Sequence, residues 1–139
     1  MGDDVSYWQK QANGLPQGSV LAPTLFSLCT SDLPITCSHR FIYADNIWCA
    51  LHAETFSEIE CTLTVDLAHL ARYCQLWRLK PSTSKTVTGV FHLHNNRSRR
   101  KVNVHMNGQW LKHDPYPVYL GVTLDRTLSH REHVLRSAM

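Results

Sequence analysis

Phe41-Ile42-Tyr43-Ala44-Asp45-Asn46-Ile47-Trp48-Cys49-Ala50 sets one acidic residue between two apolar runs. Aromatic and β-branched residues on both flanks favour strands, and Asp-Asn is a tight-turn pair. The stretch reads as a hairpin over about residues 40 to 52 with a carboxylate at its tip. A carboxylate so placed can meet a metal ion. Asp and Asn also favour turns simply by bonding local backbone, and from these ten residues alone that plainer reading is the stronger.

Working outward, Gly14-Leu15-Pro16-Gln17-Gly18-Ser19 packs two glycines and a proline into six positions and must be a shaped loop. A helix follows it, with Pro23 in its first turn and Leu21, Leu25, Leu28, Cys29 and Leu33 as an apolar stripe that ends near Pro34. Beyond the hairpin, capping boxes at Thr55-x-x-Glu58 or Ser57-x-x-Glu60 precede a face of Phe56, Ile59, Leu63, Leu67, Leu70, Cys74 and Trp77. That spacing predicts a helix over about 56 to 79, lying across a sheet. A strand is expected over Val87 to His94, and a second ribbon over Val102 to Leu111 around the Asn107-Gly108 turn signal. A Pro-containing link leads on to Tyr119 to Leu124, and a helix begins from Ser129.

With 139 residues, 43% of them apolar, the chain has the material for one domain with a real core. Its net charge of +3 is compatible with a polyanionic partner and far below the density of a nucleic-acid tail. The five cysteines are odd in number and lack close pairs, so they read as reduced thiols of an intracellular protein, nuclear or cytoplasmic. No apolar run approaches the roughly 18 residues that would span a bilayer, and Met1-Gly2-Asp3-Asp4 does not open a signal peptide, so neither secretion nor a membrane is expected. The loose myristoylation pattern at Gly2 is too short to weigh.

Four blocks carry the identity: Gly14 to Phe26 with its Leu-Pro-Gln-Gly core, Phe41-Ile42-Tyr43-Ala44-Asp45, Lys80-Pro81-x-x-Ser84-Lys85-Thr86, and Tyr119-Leu120-Gly121-Val122-Thr123-Leu124-Asp125. In this order and spacing they resemble the reverse transcriptase of LINE-type, non-LTR retrotransposons, nearest the jockey-like branch. The resemblance implies an α+β fold: part of a reverse transcriptase palm, an antiparallel sheet with two packed helices, its fingers absent and its thumb truncated. Residues 1–13 would be a remnant, 14–128 the partial palm and 129–139 the start of a thumb-like helix. It implies an RNA template, a DNA primer and deoxynucleotides as partners, and Mg²⁺ or Mn²⁺ as cofactor. The chemistry is consistent with that demand, since oxygen ligands suit Mg²⁺ and two ions about 4 Å apart can stabilise both oxygens of an in-line phosphoryl displacement.

By the same resemblance Asp45 is a metal ligand and Tyr43 lies beneath it near the primer end. Gln17 and Gly18 lie against template and nucleotide, Lys85 nears the nucleotide phosphates, and Tyr119, Leu120 and Gly121 grip the primer. Two departures count against activity. The family pattern has a second aspartate where Asn46 stands; related polymerases of negative-strand RNA viruses carry Asp-Asn there, so Asn46 alone does not decide. One unit charge at 4 Å is worth on the order of 4 kcal/mol at an effective dielectric near 20. The upstream block with the other metal-binding aspartate belongs several tens of residues before Gly14, and Asp3 and Asp4 are too near to replace it. The expectation is a chain that does not polymerise alone and holds the ions weakly if at all.

Other residues are read more plainly. His92 with His94, and His130 with His133, lack the further ligands of a zinc site. Arg97, Arg99, Arg100 and Lys101 are candidate phosphate contacts, though cations at a hairpin entry also keep strand edges soluble. Trp8, Trp48, Trp77 and Trp110 are too scattered for a base-stacking platform and read as core or interface packing. Two alternatives stay open beside the polymerase fragment: a nucleic-acid-binding module without chemistry, and a non-functional product of a decayed element.

Overall fold

The computed structural model describes residues 18–92 and 100–138. It divides into two units, Met1–Leu33 and Pro34–Met139. In the first, α1 (Ala22–Thr30) carries a proline in its opening turn, where a missing N–H is no loss. Its end comes before the expected Leu33, because a residue preceding proline disfavours the helical region. None of its residues is buried.

In the second unit β1 (His39–Tyr43) and β2 (Asn46–Ala50) form the antiparallel hairpin. Its turn falls one residue earlier than Asp45-Asn46. Ala44 and Asp45 make it, while Asn46 opens β2 opposite Tyr43. Cross-strand pairs decide this, since Phe41 faces Trp48 and Ile42 faces Ile47, and a one-residue slip would separate both. The register forces Ala44 to φ 49°, a region that favours glycine.

The long helix, α2 (Phe56–Leu76), is capped by the Thr55 side chain, which accepts from the Glu58 amide at 3.2 Å. It stops three residues short of the expected 79. Arg78 turns left-handed at φ 55°, its amide bonds the Gln75 carbonyl at 3.1 Å, and the Leu79 amide reaches Cys74 at 2.7 Å. These are the two bonds of a Schellman ending, formed here without glycine.

Ala71 of α2 packs with Val102, Val104, Met106 and Leu111, and Phe56, Ile59, Leu63, Leu67 and Val90 close around them. In place of the one antiparallel sheet expected, the short strands among the described residues pair only two by two. β4 (His105–Met106) and β5 (Gln109–Trp110) flank Asn107 and Gly108, both at positive φ as an Asn-Gly hairpin turn requires. The strand expected over Val87 to His94 shrinks to β3 (Val87–Thr88), with Leu93 and His94 outside the described residues. At Gly89 the backbone passes so close to Pro117 that a Cβ would lie 2.9 Å from its Cγ, and the chain leaves the sheet. β3 pairs with β6 (Lys112–His113) in parallel, a departure from the wholly antiparallel sheet expected. The antiparallel ribbon of β7 (Val118–Tyr119) and β8 (Val122–Thr123) turns through Leu120 and Gly121. Helix α3 (Arg131–Ser137) starts after 129, because Ser129 is engaged elsewhere, and touches β8 through His133 Nδ1, which accepts from the Thr123 amide at 3.3 Å.

The class is α+β, as expected. Trp110, read as core or interface packing, lies outside the core at 72% exposure, since the alternation that buries Leu111 turns its neighbour outward. No helix among the described residues is long and apolar enough to cross a membrane.

Candidate functional site

Asp45 sits exposed at the hairpin tip. Asn46 donates from Nδ2 to its Oδ1 at 3.3 Å. The alternation of the strands sets Phe41 and Tyr43 on one face with their partners Trp48 and Asn46, and Ile42 with Ile47 on the other. Tyr43 is 62% exposed and faces Asn46 across the turn.

Trp48 brings a second element to this face. Its ring meets that of Tyr119 edge-on, with centroids 4.8 Å apart at 63°. Edge-to-face pairs of this kind contribute about 0.5–1.5 kcal/mol beyond area burial. The ribbon of Tyr119, Leu120 and Gly121 is thereby held against the hairpin that carries Asp45. Leu120 at φ 47° and Gly121 at φ 82° shape its tip, and a Cβ on Gly121 would meet open space.

The remaining expected site residues are less informative. Lys85 is exposed in a turn closed by bonds from the Lys85 and Thr86 amides to the Ser82 carbonyl. Gly18, in the first unit, has φ 86° and is exposed. Gln17, Arg97 and Arg99 lie outside the described residues. Arg100 places its guanidinium 5.0 Å above the Phe56 ring, at the start of α2, and Lys101 is exposed.

Two carboxylates with structural work escaped the sequence reading. Asp66, 2% exposed in the middle of α2, accepts from the amides of Cys37 at 3.0 Å and Ser38 at 2.8 Å. Burial pushes its carboxyl up, but the Ser38 hydroxyl beside it and the two amides outweigh that and hold it below the usual range. The hydroxyl acts by proximity, since its oxygen makes no hydrogen bond of ordinary geometry. Across it, burial pushes the Cys49 thiol up. A signal was available: Asp66 stands three after Leu63 and four before Leu70, on the apolar face. Asp125 is the second. It accepts from the amide and hydroxyl of Ser129 at 3.0 and 2.8 Å and from those of Thr127 at 3.0 and 2.9 Å. The Ser129 amide leads in holding its carboxyl far below the ordinary range.

For a divalent ion the donor set at the turn is one carboxylate and an amide whose N–H is turned toward it. Among the described residues no three His, Cys, Asp or Glu side chains gather in a group that could hold a metal. These residues by themselves do not fit a two-ion centre.

The chain matches the reverse transcriptase (RNA-dependent DNA polymerase) family over residues 2–124, and it belongs to that family. Its kinship is with mobile elements. It is 32% identical over 130 residues to a probable RNA-directed DNA polymerase from transposon BS of Drosophila melanogaster. It is 30% and 32% identical to the RNA-directed DNA polymerases from mobile element jockey of Drosophila melanogaster and Drosophila funebris. These alignments take in 87–88% of the chain and 14% of each relative, so the chain spans about one seventh of the curated proteins it matches. The jockey-like kinship expected from the four ordered blocks is thus found. No solved structure matches it.

Proposed function

We propose that the chain is a partial palm of a retrotransposon RNA-directed DNA polymerase that does not polymerise by itself. Residues 14–128 form the palm portion and 129–139 open a thumb-like helix. Asp45 is the carboxylate meant for a divalent ion. Tyr43 and the Tyr119–Gly121 ribbon border the primer end, and Gln17, Gly18 and Lys85 serve template and nucleotide. Arg97, Arg99, Arg100 and Lys101 serve phosphates. The observation that supports this reading is the Trp48–Tyr119 contact, which joins the Asp45 hairpin to the ribbon far along the chain. Asn46 weighs against activity without deciding it, since it leaves one carboxylate at a turn where the family pattern has two.

The test is Mg²⁺-dependent extension of a DNA primer on an RNA template by the 139-residue chain, alone and as Asn46→Asp. No extension by the chain is expected. Extension that vanishes in Asp45→Ala would overturn the inactive reading while upholding the role of Asp45.

A further inference from the structure

The hairpin that carries Asp45 is a sheet of two strands, and among the described residues no third strand pairs with either edge. Its two-residue turn makes Tyr43 and Asn46 a pair that exchanges both backbone bonds, and alternation makes Phe41 and Trp48 the next. The N–H and C=O groups of Arg40 and Ile42 therefore point off one edge, and those of Ile47 and Cys49 off the other. The two edges are not alike. Phe41, Ile42 and Tyr43 of β1 are 51%, 42% and 62% exposed, whereas Trp48, Cys49 and Ala50 of β2 are half-buried.

β1 also lacks the devices that keep an edge single. It holds no proline, lysine or carboxylate, and its register with β2 runs without a bulge. Its arginine, Arg40, is drawn back along the chain, where Nη1 donates to the Pro34 carbonyl.

We propose that the β1 edge pairs with the β1 edge of a second copy, antiparallel about a two-fold axis at Phe41, joining two hairpins into a four-stranded sheet. The strand matches its own copy. Arg40 and Ile42 stand on either side of the axis, so each Ile42 exchanges both bonds with Arg40 of the other copy, and every outward group of the edge finds a partner. Phe41 then meets Phe41 at the close, non-hydrogen-bonded spacing, and His39 lies opposite Tyr43, which lines one face with aromatic pairs.

Charge favours the same occupant. Like charges directly opposed across a sheet destabilise it, and the axis sets each Arg40 against an Ile42 instead. An unrelated strand has backbone to offer this edge but neither of these matches. The pairing uses groups that face away from β2 and is independent of what Asp45 binds.

The test is sedimentation velocity of the full 139-residue chain over about 1–100 μM, in which a dimer is expected to form. Phe41→Lys and Phe41→Glu each oppose like charges across the axis and should weaken self-association about tenfold or more. Mixed in equal amounts they should restore a one-to-one dimer, because only about this axis does position 41 face itself. Phe41 is half-exposed, so both variants should keep the wild-type urea midpoint, which shows that they fold. Ile42→Pro deletes an N–H that serves the second copy and none within the hairpin, and should leave a monomer. Ile47→Pro makes the same deletion at the other edge, disturbs the same Ile42 to Ile47 pair, and should still dimerise. A monomer throughout that range overturns the proposal, as does a mixture of the two charge variants that stays monomeric. Association unchanged by either charge places the contact elsewhere and overturns it too. So does growth past the dimer into open chains, which means β1 pairing head to tail with β2.

Discussion

Replacing Asp66 by Ala tests how the hairpin is tied to the helix. The carboxylate is 2% exposed and receives two amide bonds, from Cys37 at 3.0 Å and Ser38 at 2.8 Å, just before β1 begins. Hydrogen bonds to a charged acceptor contribute about 1.5–3 kcal/mol each, and the substitution leaves both amides without that acceptor. Removing a buried charge also relieves its own desolvation, so the net loss should be near the lower sum, about 3 kcal/mol. Against a total stability of roughly 5–15 kcal/mol this is a large fraction. Asp66→Asn keeps one acceptor oxygen and should lose about half as much.

Urea unfolding of dilute chain, followed by tryptophan fluorescence, reads the difference as a midpoint shift of about 1–2 M. The pH dependence supplies a second signature. The folded carboxyl lies below its unfolded value of about 3.9, so its contribution is complete above that value. It is lost as pH falls through the folded value, and the gap between wild type and Asp66→Ala should narrow on acidification below about pH 4. A midpoint within 0.2 M of wild type at pH 7 would refute the reasoning. A gap that stays constant down to about pH 2 would do so too.

Three further outcomes are expected. Ala44→Gly should stabilise the chain by about 0.5–1 kcal/mol in the same unfolding assay, because glycine adopts φ 49° without strain; a loss of stability would count against the turn as described. Asp125→Ala should speed hydrogen exchange at the Val134 and Ala138 amides of α3, and wild type should lose the same protection as pH falls below about 4, since the folded carboxyl titrates beneath its unfolded value. With Phe41 and Tyr43 51% and 62% exposed on one hairpin face, and Ile42 and Ile47 42% and 41% on the other, the isolated chain should associate at micromolar concentration; sedimentation as a monodisperse monomer would sink this.

What could be read in the sequence was local chemistry. Asn107-Gly108 marked a hairpin because two adjacent residues must both take positive φ, and Thr55 marked a helix start because its hydroxyl reaches an amide three residues on. The turn at Ala44 was missed because cross-strand partners, not turn preference, fixed the register. The parallel pairing of Val87 with Lys112 joins distant segments and left no periodic trace. Of the site, Asp45 and Tyr119 were legible as parts of blocks, but the ring that joins them was not, because one tryptophan among four carries no address.

The contact between Trp48 and Tyr119 also has a bearing on how the molecule forms. The β1–β2 hairpin closes over two residues and can assemble on the microsecond scale, and the β7–β8 ribbon is just as local. Their meeting is not local, and waits until α2 and the sheet beneath it have drawn the chain back on itself. The neighbourhood of Asp45 is therefore completed late, and a chain stalled short of that step would carry a formed hairpin beside an empty place.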